Sequence, residues 1–182
     1  MNTLVRALRA TVLTAVVAGS AAVVSAADVD AATQSKVDAH IAEIKAWAAD
    51  PAIVAAVVAP QPAEHATITQ EKWKSLSLLD PLVRSFTKNE AAAVLKAKRT
   101  AWVNEAFVSN AKGQKVAFLG KPSNWSHLGN PKHDDPMAGK VWQGTIAVDE
   151  STGLQQLQVA VPVLKDGKPV GSLIVGLNLA KL

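Results

Sequence analysis

The chain has 182 residues, 49% of them hydrophobic, a formal net charge of +4 and no cysteine. That hydrophobic share supports one sizeable core, and the missing cysteine excludes disulfides, thiolate metal sites, thiol catalysis and a lipoprotein attachment site. Basic and acidic residues are interspersed, with no basic stripe and no nucleic-acid motif, so the composition argues against nucleic acid as a partner.

The opening "MNTLVRALRATVLTAVVAGSAAVVSAADVD" carries Arg6 and Arg9, then an uncharged run to Ala27 that ends in small residues. This is the plan of a secretory signal peptide over residues 1–27, with cleavage near Ala26 or Ala27. An uncleaved anchor is the alternative, because the apolar run approaches the roughly 20 residues that span a bilayer. Without Arg6 and Arg9 the remainder has 17 basic and 15 acidic residues, or +2. Residues 28–182 are expected to form one domain, periplasmic or secreted.

From Thr33 to Ala49, Val37, Ile41, Ile44 and Ala48 recur as one helical stripe. Asp50-Pro51 ends that helix and starts a second, with Asp50 as cap and Pro51 at the first position. "APQPAEHATIT" reads as a loop, Thr69 caps a segment carrying Trp73, and Asp80-Pro81 opens a further turn of helix. "NEAAAVLKAKR" is another short helix. Trp47, Trp73 and Trp102 are assigned to the core, and His40 and His65 to solvated positions.

Near Thr100 the period changes to two. "AWVNEAFVSN" and "KVAFLG" are strands around a turn at Lys112-Gly113. "KPSNWSHLGNPKHDDPMAGK" then reads as a long functional loop, and "VWQGTIAVDE" as a strand. On the latter, Thr145, Ala147 and Asp149 share a small, polar face, opposite Ile146, Val148 and Glu150. The last 35 residues hold two runs around Asp166-Gly167, a hairpin signal. A loop of odd length sets Val161 opposite Leu173 and Val159 opposite Val175, which brings both apolar sets to one side. Helices first and about five sequential strands after them predict an α+β fold, a long N-terminal helix packed on a five- to six-stranded antiparallel sheet.

Several stretches in this order resemble the Cache sensor domains, extracytoplasmic relatives of PAS domains. They are "WAADPAIVAAVVAPQ", "ITQEKWKSL", "EAFVSNAKGQKVAFLGKPSNW" and the closing "VDESTGLQQLQVAVPVLKDGKPVGSLIVGLNLAKL". The resemblance spans about 140 residues and implies a PAS-like sheet with a helix on one face and a small-molecule pocket on the other. It places the pocket between the long loop and the strand after it, making Trp125, His127, Asp134, Lys140, Trp142, Thr145 and Asp149 the candidate ligand-binding residues. Asp149 matches an aspartate that holds the ligand's ammonium group in amino-acid-binding relatives; it could equally cap the "DESTG" turn. Where the family often has Asp-Tyr, this chain has Asn124-Trp125, and "KHDDPMAGK" replaces a Gly-Asp-Glu run.

The expected function is that of an exported, free-standing sensor domain that binds a small organic ligand and is not an enzyme. Lys121, Lys132 and Lys140, with His127 and His133 as further donors, favour a carboxylate; Asp134 and Asp149 favour an amine or amino acid. No cofactor is expected. In membrane-bound relatives the last strand runs into a transmembrane helix; here the sequence ends at Leu182, so signalling is expected to use a partner, such as a membrane receptor or kinase, or the N-terminal anchor. Two alternatives remain, an adaptor with a vestigial pocket and a metal-binding protein using His127, His133, Asp134 and Asp135. A Ser126-His127-Asp134 hydrolase fails on geometry, since adjacent Ser and His cannot readily act as nucleophile and base.

Overall fold

The computed structural model describes residues 29–148 and 153–182. The segment expected to be a signal peptide and the candidate Asp149 lie outside the described residues. Among them, no helix is long and apolar enough to cross a membrane.

The first helix, α1 (Ala31–Ala48), begins at Asp30, whose carboxylate accepts from Thr33 N at 2.8 Å. Its buried side chains are Val37, Ile44, Trp47 and Ala48. Two Asp-Pro pairs start α2 (Pro51–Val58) and α4 (Pro81–Ser85), each aspartate accepting a hydrogen bond from the residue two positions on. Thr69 caps α3 (Gln70–Ser75) and Asn89 caps α5 (Glu90–Ala97). The physical logic is the same throughout: a short side-chain oxygen satisfies an otherwise orphaned N–H.

The strands are β1 (Val103–Asn110), β2 (Lys115–Phe118), β3 (Trp142–Val148), β4 (Gln155–Lys165) and β5 (Lys168–Leu177). They form one antiparallel sheet in the order β2-β1-β5-β4-β3. The closing hairpin thus supplies the middle of the sheet, with β5 at its centre. Alternation gives the sheet two faces. Leu157, Val159, Val161, Val163, Leu173, Val175 and Leu177 pack beneath α1, α2 and α5 in the main core. On the other face Phe107, Phe118, Ala160 and Ile174 join Trp73, Phe86 and Trp125 in a second, aromatic core.

Three local expectations need correction. The hairpin has the expected register, with Val161 opposite Leu173 and Val159 opposite Val175, but its loop is not odd. Asp166 (φ 50°) and Gly167 (φ 74°) form a two-residue turn closed by Lys165 and Lys168, and a bulge beyond Val163 restores the register. Positive φ at both turn positions matches the twist of the strands, and the extra residue corrects the phase. Within the supposed long loop, Pro131–Met137 is a helix, α6, capped by Asn130, so an Asn-Pro start does here what Asp-Pro does twice earlier. Finally, neither histidine outside the loop is solvated. His65 is buried against Phe86, and half-buried His40 lies on Trp102, because each ring covers an aromatic face that would otherwise meet water.

Candidate functional site

Opposite α1, the sheet carries a cleft of about 340 Å³. Its floor is a row of polar side chains set by strand order. Glu105 on β1 and Gln158 on β4 both pair with Gly176 on β5, so they flank a position that has no side chain. Over that gap Glu105 Oε1 accepts from Gln156 Nε2 at 2.7 Å and also from Gln158 Nε2. Gln158 Oε1 in turn accepts from Lys132 Nζ at 2.8 Å, which ties α6 to the floor. A Cβ at position 176 would collide with Gln156 Oε1 and lie 2.9 Å from Glu105 Cγ. Gly176→Ala should therefore separate the buried carboxylate from its amide donors and cost about 1–3 kcal/mol, the usual penalty for an unsatisfied buried group. Thermal denaturation reads this directly, and an unchanged melting temperature would show that the row can part without loss.

The far wall is β3. Trp142, Gly144, Thr145 and Ala147 line the cleft, while Ile146 packs on the main core and Gln143 exchanges two amide hydrogen bonds with Gln34 of α1, at 2.8 and 3.0 Å. A register shift between Gln143 and Ile146 lets Gly144 and Thr145 both reach the cleft side. Gly144 leaves room for the Trp142 indole, which lies 2.7 Å from where a Cβ would stand.

The near wall is the stretch before α6. α3 holds it: Trp73 Nε1 donates to Pro122 O at 2.7 Å, and Gln70 bonds Ser123 O, Asn124 Oδ1 and Trp125 N. Pro122, Ser123 and Asn124 thereby form the lip of the cleft. Lys121 faces away, donating to Trp73 O and Leu76 O.

Behind the wall sits a set of buried titratable groups. His127, 6% exposed, lines the cleft with its ring stacked on Phe107. Its Nδ1 is 2.7 Å from Nζ of Lys115, a lysine with no exposed surface whose other neighbours are Ser109 Oγ at 3.4 Å and the Phe107 ring. Burial, then the charges of Lys115, Lys132 and His133, lower the His127 pKa to about 2, so the ring is neutral. Burial also holds the Lys115 amine well below the ordinary lysine range, with Lys132 adding to the depression and Glu105 opposing it. His133 Nδ1 meets Ser172 Oγ at 2.8 Å, and burial lowers its pKa against the opposing pull of the Ala111 carbonyl and Asp134.

Of the residues singled out by sequence, His127, Trp142 and Thr145 come together on the cleft. Trp125 lies in the aromatic core beneath the lip, 4% exposed, with its ring against Trp73 and Phe86. Asp134 is exposed and accepts from Gly129 N at 3.1 Å, and Lys140 is exposed after α6. His127, His133 and Asp134 are each directed to different partners, and among the described residues no three His, Asp or Glu side chains converge as metal ligands. Sequence reading missed Glu105, Gln156, Gln158, Lys115 and, as a floor residue, Lys132. The one available signal was the polar alternation of Gln156 and Gln158 against Leu157 and Val159.

No protein-family profile and no curated protein matches the chain. Solved structures do. It is similar to the ligand-binding domain of the amino-acid chemoreceptor PctC of Pseudomonas aeruginosa, solved with GABA, at 18% identity and a TM-score of 0.45, over 82% of this chain and 60% of that one. It is similar to the ligand-binding domain of the Pseudomonas fluorescens chemoreceptor CtaA, solved with L-valine, at 18% identity and a TM-score of 0.49, over 81% of this chain and 55% of that one. The sensor domain of the V. cholerae histidine kinase DctB matches at 14% identity with a TM-score of 0.39, over 82% of this chain and 54% of that one. This chain therefore spans less than two thirds of each of those chains, all three of them sensing or ligand-binding domains of chemoreceptors or a histidine kinase.

Proposed function

We propose that residues 28–182 form a single exported sensor domain that binds a small organic ligand in the cleft without transforming it, a carboxylate in preference to an amine. The reading rests on the convergence of Lys132 and His127 on one cleft whose carboxylate, Glu105, already accepts hydrogen bonds from Gln156 and Gln158. With Oε1 of Glu105 engaged by both amides, the carboxylate repels an incoming anion less than an unengaged one would, and Lys132 supplies a charge-assisted donor to the cleft. A cleft with an aromatic wall and a few convergent polar groups is the usual form of a small-ligand site. Binding is read out through a partner, such as a membrane receptor or kinase, or through an N-terminal anchor if the leader is retained.

A thermal-shift panel of small carboxylates, amines and amino acids tests this. A ligand at 100 times its Kd adds about 2.7 kcal/mol to stability. Lys132→Gln should weaken carboxylate binding at least tenfold, and Glu105→Gln should leave it in place. Binding of amines alone, lost in Glu105→Gln, would overturn the carboxylate preference.

A further inference from the structure

We propose that buried Lys115 is a positioning residue for the cleft: its ammonium donates to His127 Nδ1, fixes the imidazole as the Nε2–H tautomer, and so turns His127 towards a bound carboxylate as a hydrogen-bond donor backed by a buried cation. The inference rests on the carboxylate reading above and adds to it how the site is charged.

Lys115 has no exposed surface and, among the described residues, no carboxylate as a hydrogen-bond partner. Among the described residues, only Ser109 Oγ and His127 Nδ1 stand within hydrogen-bond reach of Nζ. An ammonium has three donors and no lone pair, so when Lys115 is charged Nδ1 must be the acceptor. The single proton of the neutral ring then sits on Nε2, which makes no other hydrogen bond among the described residues. If Lys115 were an uncharged amine accepting from Nδ1–H, Nε2 would offer a lone pair and repel a carboxylate. A charged Lys115 thus enforces a donor at Nε2 towards the cleft, whereas an uncharged amine, able to donate or accept, also admits the tautomer that shows an anion a lone pair.

The groups facing this pair are Glu105 and Ser109 on β1 and Lys132 and His133 on α6. A carboxylate seated at His127 adds a negative charge near Lys115 and favours its protonated form. Affinity should therefore be greatest at lower pH and fall as pH rises through the Lys115 titration, which burial places below the ordinary lysine value of 10.5. One coupled proton sets the limiting slope at about tenfold in Kd per pH unit.

Calorimetry with acetate and propionate between pH 6 and 9.5 supplies the test, alongside nitrogen NMR of the histidine-labelled, unaltered chain. Expected are an affinity that falls with rising pH, a flat profile in Lys115→Met, a retained slope with weaker binding in Lys132→Gln, and a protonated Nε2 on His127. A slope that persists in Lys115→Met, or a proton on Nδ1 in the unaltered chain, overturns the proposal. Carboxylate binding with no pH slope sinks this inference alone, whereas no binding of any carboxylate at any pH sinks the carboxylate reading and this with it.

Discussion

Acidification from pH 6.5 to 4.5 should destabilise the protein by about 2–3 kcal/mol through His127 alone, the equivalent of roughly 1.5 to 2 units at 1.36 kcal/mol each. The folded pKa of His127 lies at about 2, against an ordinary histidine value of 6.5. Between those values the unfolded chain binds more protons, so stability is complete above pH 6.5 and is lost as pH falls. His133 and His65 are depressed in the same direction, chiefly by burial, and add losses of the same sign. Asp30 and Glu71, both lowered by local hydrogen bonds, lose stability in the same direction as pH falls through their ordinary values of 3.8 and 4.5, so stopping at pH 4.5 leaves out most of their contribution. Melting temperature should fall by about 4–12 °C over the scan, at 2–4 °C per kcal/mol for a chain of this size. His127→Gln removes the titrating ring and keeps a polar neighbour for Lys115, so it should flatten much of the curve. A parent protein with a level melting temperature from pH 6.5 to 4.5 would contradict the burial of a neutral His127.

Trp73→Ala should cost about 3–5 kcal/mol, in the range of large-to-small changes at buried aromatic positions. Trp73 has no exposed surface and packs edge-on to Phe86 and Phe118 at 5.9 Å and against Trp125 at 5.2 Å. Its indole N–H also holds the Pro122 carbonyl, and Lys121 Nζ sits 5.0 Å above its ring. Trp73→Phe keeps most of the aromatic volume and loses the hydrogen bond, so a smaller cost, about 1–2 kcal/mol, should follow. Chemical denaturation separates the two variants. A Trp73→Ala loss below that of Trp73→Phe would mean that the aromatic core closes over the gap and that the lip is held by Gln70 instead.

Much of the scaffold was readable because it rests on local chemistry. Asp50-Pro51 and Asp80-Pro81 announce helix starts through cap and ring constraint alone, and the apolar alternation of Leu157 to Val163 sets its own pairing with β5. The turn length was misjudged because a bulge one residue beyond Val163 changes phase without a distinctive residue. α6 was hidden by its polar composition and internal Pro136, although Asn130-Pro131 carried the same start signal as the earlier pairs. The floor of the cleft was not readable. Glu105 lies 51 positions before Gln156, and their meeting depends on strand order and on the absence of a side chain at Gly176. The buried Lys115 is equally silent in sequence, where a lysine at the start of a short strand suggests solvent.

Alternation along β4 has an evolutionary consequence. Leu157, Val159, Val161 and Val163 belong wholly to the helix side, while Gln156 and Gln158 belong to the cleft. Neighbouring codons therefore carry different constraints, the aliphatic ones packing against the helices and the amide ones facing the cleft while satisfying Glu105. Exchange at 156 or 158 for another polar group that still donates to Glu105 can retune recognition within an inherited frame.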